Sequence, residues 1–254
     1  MTRRPGDWGI ELYTENEVVA LLEARKSERG VRKMRGSALS SYGIGLTQLR
    51  KMAKSIGRHH ALARTLWCSD IYDAKIIGLL IDEPKKLTVE MVEQQVEELE
   101  GGMLARVFVS CDAALAKADF AVDLSVSWTV SIDAMRRRCG FLLLCELSKN
   151  EKNKALDNTF FIGYIAHIQD QFQGEENGVR DAMSVALTGI GRRNRTLNAA
   201  AIRAAKAIGR MVVDYGDNAR KSIGILTHLE SDHLRRKFNR RDAGRVVFSQ
   251  RLRP

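Results

Sequence analysis

The chain has 254 residues, 44% of them apolar, a formal net charge of +10 and a pI near 9.6. That apolar share excludes general disorder, the length allows a large core in one domain or a repeat array, and the basic balance suits a protein that meets nucleic acid or another anionic surface. Of three prolines, Pro5 and Pro254 are terminal and Pro84 alone punctuates the interior; with Ala, Leu, Glu, Lys and Arg abundant and no run of alternating β-branched residues, the expected class is all-α.

The first helix opens with a capping box, Thr14 and Glu17, before Val18, Val19, Leu21 and Leu22, and is expected to run to about Gly30. Residues 31–44, rich in Arg, Gly and Ser, read as a loop. Further helices follow over Leu46–Ile56, Ala61–Ser69 and Tyr72–Ile81, the last stopped by Asp82-Glu83-Pro84. Thr88 opens a Glu-rich helix to about Glu100, whose acids alternate with Met91, Val92 and Val96 and form a solvated face. Beyond Gly101-Gly102 the pattern resumes over Met103–Lys117 and Ala121–Trp128, then Ser131–Lys149, Asp157–Phe172, Glu176–Ile190, from Asn194 or Thr196 to Val213, and Asp217–Leu229.

Helices of this length joined by short polar links, with no strand between them, imply antiparallel helical pairs. Degenerate two-helix repeats of roughly 40 residues, stacked as an α–α superhelix, fit better than a compact bundle and would offer one long concave surface. The expected organisation is a single solenoid domain over 1–234 and a basic tail over 235–254, where eight Lys or Arg stand against Asp242 alone. That tail either adds non-specific affinity for anions, or is disordered, or ties down the last helix.

Cys68, Cys111, Cys139 and Cys145 have no C-x-x-C pairing and no His at zinc-ligand spacing, so all four are expected to be buried thiols with no metal. The start lacks the apolar core of a signal peptide, and runs such as Phe141–Cys145 are too short to span a bilayer. A cytoplasmic protein without cofactor follows from this reading.

One stretch, SIDAMRRRCGFLLLCELSK from Ser131 to Lys149, combines a helical apolar face (Met135, Cys139, Leu142, Leu143) with three consecutive arginines. At roughly 100° per residue Arg136, Arg137 and Arg138 fan around the axis, so at least one leans toward the packed side. Either its stem covers apolar surface while the guanidinium reaches water, or it points into a groove that holds an anion.

Three stretches carry a resemblance. Tyr42–Pro84 (YGIGLTQLRKMAKSIGRHHALARTLWCSDIYDAKIIGLLIDEP), Met135–Phe141 (MRRRCGF) and Asn177–Asn194 (NGVRDAMSVALTGIGRRN) resemble, in family order, the AlkD-type DNA alkylation repair proteins, the HEAT-like repeat DNA glycosylases. The resemblance implies an all-α solenoid of HEAT-like antiparallel repeats whose basic concave groove clasps duplex DNA by its backbone. It also implies excision of cationic N-alkylated purines, by an acid that stabilises positive charge developing on the sugar and by tryptophan faces that cradle the lesion.

The family pattern of a Trp followed four residues later by an Asp should fall just after the Glu-rich helix, where this chain reads EGGMLARVF. Gly102 stands at the Trp position and Arg106 at the Asp position. The residues four after Trp8, Trp67 and Trp128 are Leu12, Ile71 and Ile132, so the pattern occurs nowhere else in the chain. A second family aromatic falls on Val185. No catalytic residue is therefore assigned, and Arg106 would repel a cationic lesion.

What survives is the anion-binding part. Arg138 falls on the family's groove arginine, with Arg136 and Arg137 as surface or phosphate contacts; Arg192, Arg193 and Arg195 stand at a helix junction, where arginines hold phosphate bidentately or cap a helix C-terminus. Lys51, Lys54 and Arg58 are weaker candidates, Arg58-His59-His60 reads chiefly as an exposed link, and Tyr42 and Trp67 read as core. The leading expectation is a solenoid that grips duplex DNA backbone without excising a base. Two alternatives stand beside it: a glycosylase using a relocated acid, Glu98 or Glu100, and a protein-interaction scaffold.

Overall fold

In the computed structural model, residues 13–33, 38–99, 102–211, 213 and 224–240 are described. They form α-helices and short 3-10 turns; the single β feature among them is an isolated bridge between Ser40 and Ile71. The chain divides into two compact units, Met1–Gln94 with Glu100–Ala118, and Gln95–Leu99 with Asp119–Pro254. The expected boundary at 234/235 falls inside a helix over 232–240.

The first unit contains α1 (Glu15–Glu23), α2 (Glu28–Lys33), α3 (Leu46–Ile56), α4 (His60–Trp67), α5 (Tyr72–Ile81) and α7 (Gly102–Phe108); α6 (Val89–Glu97) leads from it into the second. Helix α5 is its centre. All ten of its residues except Tyr72 are buried, and it packs against α3, α4 and α7. Helices α3 and α5 have the bounds that periodicity predicts, because each carries an apolar stripe closed by a clear stop, Gly57 at φ +83° and the Asp82–Pro84 turn.

The first helix is shorter than expected. Helix α1 ends at Glu23, and after Ser27, whose Oγ accepts from Gly30 N, α2 starts at Glu28 and runs to Lys33, into the segment read as a loop. Gly30 and Gly43 explain the interruption: a Cβ on Gly30 would lie 1.9 Å from the Gly43 carbonyl oxygen, and Gly43 itself sits at φ +72°. The two strands of chain cross too closely for any side chain.

Helix α7 also stops early, at Phe108 instead of Lys117, and gives way to turns and a 3-10 turn over Leu115–Lys117. Asp112 holds this segment by tertiary bonds, with its carboxylate on Arg50 Nε at 2.8 Å and its carbonyl on Arg58 at 3.2 Å. Cys111, placed in a helix by its periodicity, is consequently exposed. Cys68, which caps α4, is exposed too, so burial holds for Cys139 and Cys145 alone; none of the four is in a disulfide among the described residues.

The second unit contains α8 (Ala121–Thr129), α9 (Ala134–Leu147), α10 (Asn158–Gln171), α11 (Asn177–Gly191), α12 (Arg195–Ile208), α13 (Ile225–Leu229) and α14 over 232–240. Helix α9, the Ser131–Lys149 stretch, lies between α8 and α11. From Cys139 to Cys145 every residue is buried, and fully burying a side chain such as Phe141 or Leu143 contributes roughly 1.5–3 kcal/mol. Gly140 sets the α8–α9 spacing, since a Cβ there would meet Thr129 N at 2.8 Å. Helix α12 ends at Ile208, where Gly209 adopts φ +75°, five residues short of Val213. The expected start at Asp217 lies outside the described residues. Among the described residues no helix is long and apolar enough to cross a membrane.

Candidate nucleic-acid interface

The three arginines at the start of α9 have three different environments. Asp133 caps the helix by accepting from Arg136 N at 2.7 Å, which fixes the fan of side chains behind it. Arg136 donates to Glu97 at 2.8 Å and lies 3.8 Å from Asp133. Arg137 is bound on all sides: its Nε and Nη2 meet the Glu175 carboxylate, and Nη1 donates to the carbonyls of Ser131 at 3.0 Å and Ile132 at 2.8 Å. Arg138 is half-buried along the first turn of α11, its Cδ 3.6 Å from where a Gly178 Cβ would stand. The acids Glu97, Asp133 and Glu175 thus offset much of the charge that makes this stretch conspicuous in sequence.

The α11–α12 junction divides in the same way. Arg193 turns inward, donating to the carbonyls of Ser148 (2.7 Å), Asn150 (2.9 Å) and Leu156 (2.7 Å), with its guanidinium 5.0 Å from the centre of the Phe161 ring. It ties the end of α9 and the loop before α10 to the start of α12, a structural role. Arg192, the C-cap of α11, and Arg195, the first residue of α12, remain exposed.

Against these two sits α14. Leu234 and Phe238, four residues apart, are buried, Lys237 Nζ donates to the Arg192 carbonyl at 2.8 Å, and Asn239 Oδ1 accepts from Arg195 at 2.7 Å. The first part of the basic tail is therefore a packed helix. Its Leu-x-x-x-Phe spacing was a legible signal, hidden by the charges around it. Residues 192–195 and 232–240 together carry seven Lys or Arg against one acid, Asp232, which pairs with Arg235 at 3.7 Å. Arg193 aside, these side chains form a basic surface on the second unit. A cleft of about 700 Å³ opens beside it, lined by the acids Glu151 and Asp157 as well as Asn158, Arg193, Arg195 and Phe238, where the first turns of α10 and α12 meet through Asn194 Nδ2 and Asn158 Oδ1 at 2.8 Å.

The residues that the resemblance sets at the excision positions lie on α7 and α11. Gly102 begins α7, Arg106 lies half-buried on it, and Val185 is half-buried in α11. Glu98 is exposed just beyond α6, and Glu100 lies outside the described residues. Trp67 is core, 2% exposed, with the buried Lys75 ammonium 4.5 Å from its ring centre; Tyr42 is half-buried and donates its backbone N–H to Asp73 at 2.8 Å.

Lys51 and Lys54 are exposed on α3. The Arg58-His59-His60 link is more than a connection: Arg58 donates to the Leu80 and Asp82 carbonyls, His59 Nδ1 caps α4 by accepting from Leu62 N, and His60 Nδ1 lies 2.6 Å from Asp82 Oδ1.

Residues 16–222 match the family model described as DNA alkylation repair enzyme. The chain belongs to that family. Among curated relatives are the uncharacterized proteins Lmo0209 of Listeria monocytogenes serovar 1/2a, 23% identical over 79% of this chain and 87% of that protein, and Lin0241 of Listeria innocua serovar 6a, 24% identical over 76% and 84%. A solved structure superposes with a TM-score of 0.75 over 87% of this chain and 94% of its own, at 22% identity. It is described as belonging to a new family of proteins related to the HEAT-like repeat DNA glycosylases with affinity for branched DNA structures. That likeness establishes a HEAT-like helical fold.

Proposed function

We propose that this member of the DNA alkylation repair family binds duplex DNA through its phosphate backbone and excises no base. The observation that supports the reading is the exposed basic surface formed by Arg192, Arg195 and α14. Clustered guanidinium and ammonium groups bind closely spaced phosphates and release the counterions around them. Arg138 lies beside the first turn of α11, at the other end of that helix from Arg192, and is a separate phosphate contact in this reading. Such contacts position the protein without reading sequence, which fits a protein that selects DNA by shape.

Excision needs an anion beside the developing sugar cation, and an arginine at the family's acid position works against it. Arg106 would raise the energy of the transition state that an aspartate lowers. The related family's affinity for branched structures extends the reading: a four-way junction brings more phosphates within reach of one basic surface than a linear duplex does.

Mobility-shift titrations of the full chain with a linear duplex and a four-way junction, across a salt series, test the proposal. Binding that weakens steeply with salt, favours the junction, and falls on Arg138→Ala or Arg192→Ala/Arg195→Ala is expected. No affinity for either DNA at low salt would overturn it.

A further inference from the structure

In the first unit, apart from the arginines of α9, α11 and α14, a cleft of about 480 Å³ is lined by Arg50, Lys54, Gly57, Arg58, Leu80, Cys111, Asp112 and Lys117. Four cations from three segments of chain thus face one space with one acid among them, a lining charge of +3 (four minus one).

The segments are locked together. Arg58 holds the C-terminal end of α5 through the Leu80 carbonyl at 3.0 Å and the Asp82 carbonyl, and reaches the Asp112 carbonyl at 3.2 Å. Asp112 in turn places its carboxylate on Arg50 Nε at 2.8 Å. One arginine is spent on backbone and the other carries the acid.

Lys54 and Lys117 are different. Both are exposed, and neither ammonium group forms an ion pair or hydrogen bond among the described residues. The α3 C-terminus and the α5 C-terminus account for one or two cations in such a place, since cations there offset the helix dipole. They do not account for Lys117, which arrives on the 3-10 turn after α7. Holding like charges in a common cleft is unfavourable unless an anion enters, and ammonium groups beside guanidinium groups match the several acceptor oxygens of a phosphate.

We infer that this cleft is a phosphate-binding site formed by Lys54 and Lys117 with Arg50 and Arg58 as its walls. That the phosphate belongs to a DNA backbone rests on the function proposed above; the site itself does not. With DNA as the source, both compact units carry a phosphate contact.

Cys111 lines the cleft and is exposed, so its thiol reports on occupancy. In a Cys68→Ser background, the rate of Cys111 alkylation by iodoacetamide is measured for the full chain alone, with saturating duplex DNA, and with inorganic pyrophosphate. Several-fold slowing by both ligands, lost in Lys54→Gln/Lys117→Gln, is expected. The same double variant should lower the salt dependence of DNA affinity, log K against log [salt], by about 1 in slope, for the one phosphate the cleft holds.

Protection by pyrophosphate alone would uphold the phosphate site and overturn the DNA backbone as its source. No protection by either ligand, with an unchanged salt slope, would overturn the site altogether. If the chain fails to shift DNA at all, the proposed function falls, and the pyrophosphate measurement still decides the cleft.

Discussion

Arg137 and Glu175, 38 residues apart in sequence, form a two-pronged ion pair with Nε–Oε1 and Nη2–Oε2 distances of 2.9 Å. The two side chains are 18% and 12% exposed, so water screens the pair only partly. The pair clamps the start of α9 to the turn before α11, and the remaining guanidinium nitrogen binds the Ser131 and Ile132 carbonyls.

Glu175→Gln leaves a half-buried arginine facing a neutral amide. It should cost roughly 2–3 kcal/mol and lower Tm by roughly 5–10 °C for a chain of this size. Thermal unfolding followed by circular dichroism checks this. Arg137→Met/Glu175→Leu, which removes both charges, should recover part of the loss, because the uncompensated charge is most of the cost. Equal or greater destabilisation in the double variant would contradict that account.

Arg193 serves three carbonyls from two segments and covers the Phe161 ring. Arg193→Lys keeps the charge but loses the planar fork, and should destabilise by about 2 kcal/mol, with Arg193→Ala at about 3 kcal/mol. DNA affinity at a temperature where each variant is folded should stay within about twofold of wild type, while Arg192→Ala lowers it and reduces the salt slope by about 1. Matched losses of affinity in the two variants would show that Arg193 also meets phosphate.

Thiol chemistry separates the cysteines. Cys68 and Cys111 should react with Ellman's reagent in the folded protein at pH 8, and Cys139 and Cys145 only after denaturation. Burial pushes the Cys139 thiol from 9.0 up to about 12, opposed in part by the nearby Arg138 guanidinium. A thiol whose folded value lies above its unfolded one stabilises the fold at neutral pH, and that contribution is lost as pH rises from about 9 toward 12. Urea unfolding midpoints should fall more steeply over that range in the wild type than in Cys139→Ala.

Incubation of the full chain with duplex DNA carrying N-alkylated purines should yield no abasic sites above the uncatalysed background. The reason is electrostatic on the function proposed above, which sets Arg106 at the family's acid position and Gly102 and Val185 at its aromatic positions. A clear yield of abasic sites that Glu98→Gln or Glu100→Gln abolishes would reverse this and identify a relocated acid.

Much of the fold was legible because helices form from local pattern. The Leu46–Ile56 and Tyr72–Ile81 bounds follow from apolar spacing and stop signals, and the buried half of α9 from its unbroken run of Cys139 to Cys145. Where spacing misled, a tertiary contact had intervened. The Gly30–Gly43 crossing splits the first helix, and the Asp112 bonds to Arg50 and Arg58 end α7 early.

By itself the sequence determined the helical class and the family motifs. Only the tertiary structure decided which basic residues are available to a ligand. Arg137 and Arg193 look in sequence like their neighbours Arg138 and Arg192, yet both are bound to partners 37 to 45 residues away, apart from the Ser131 and Ile132 carbonyls near Arg137. Conversely Lys54 and Lys117, from separate segments, share a cleft that neither spacing nor charge count reveals. The physical reason is that helical periodicity is set within a few residues, whereas the partner that neutralises a charge is fixed by packing between distant elements.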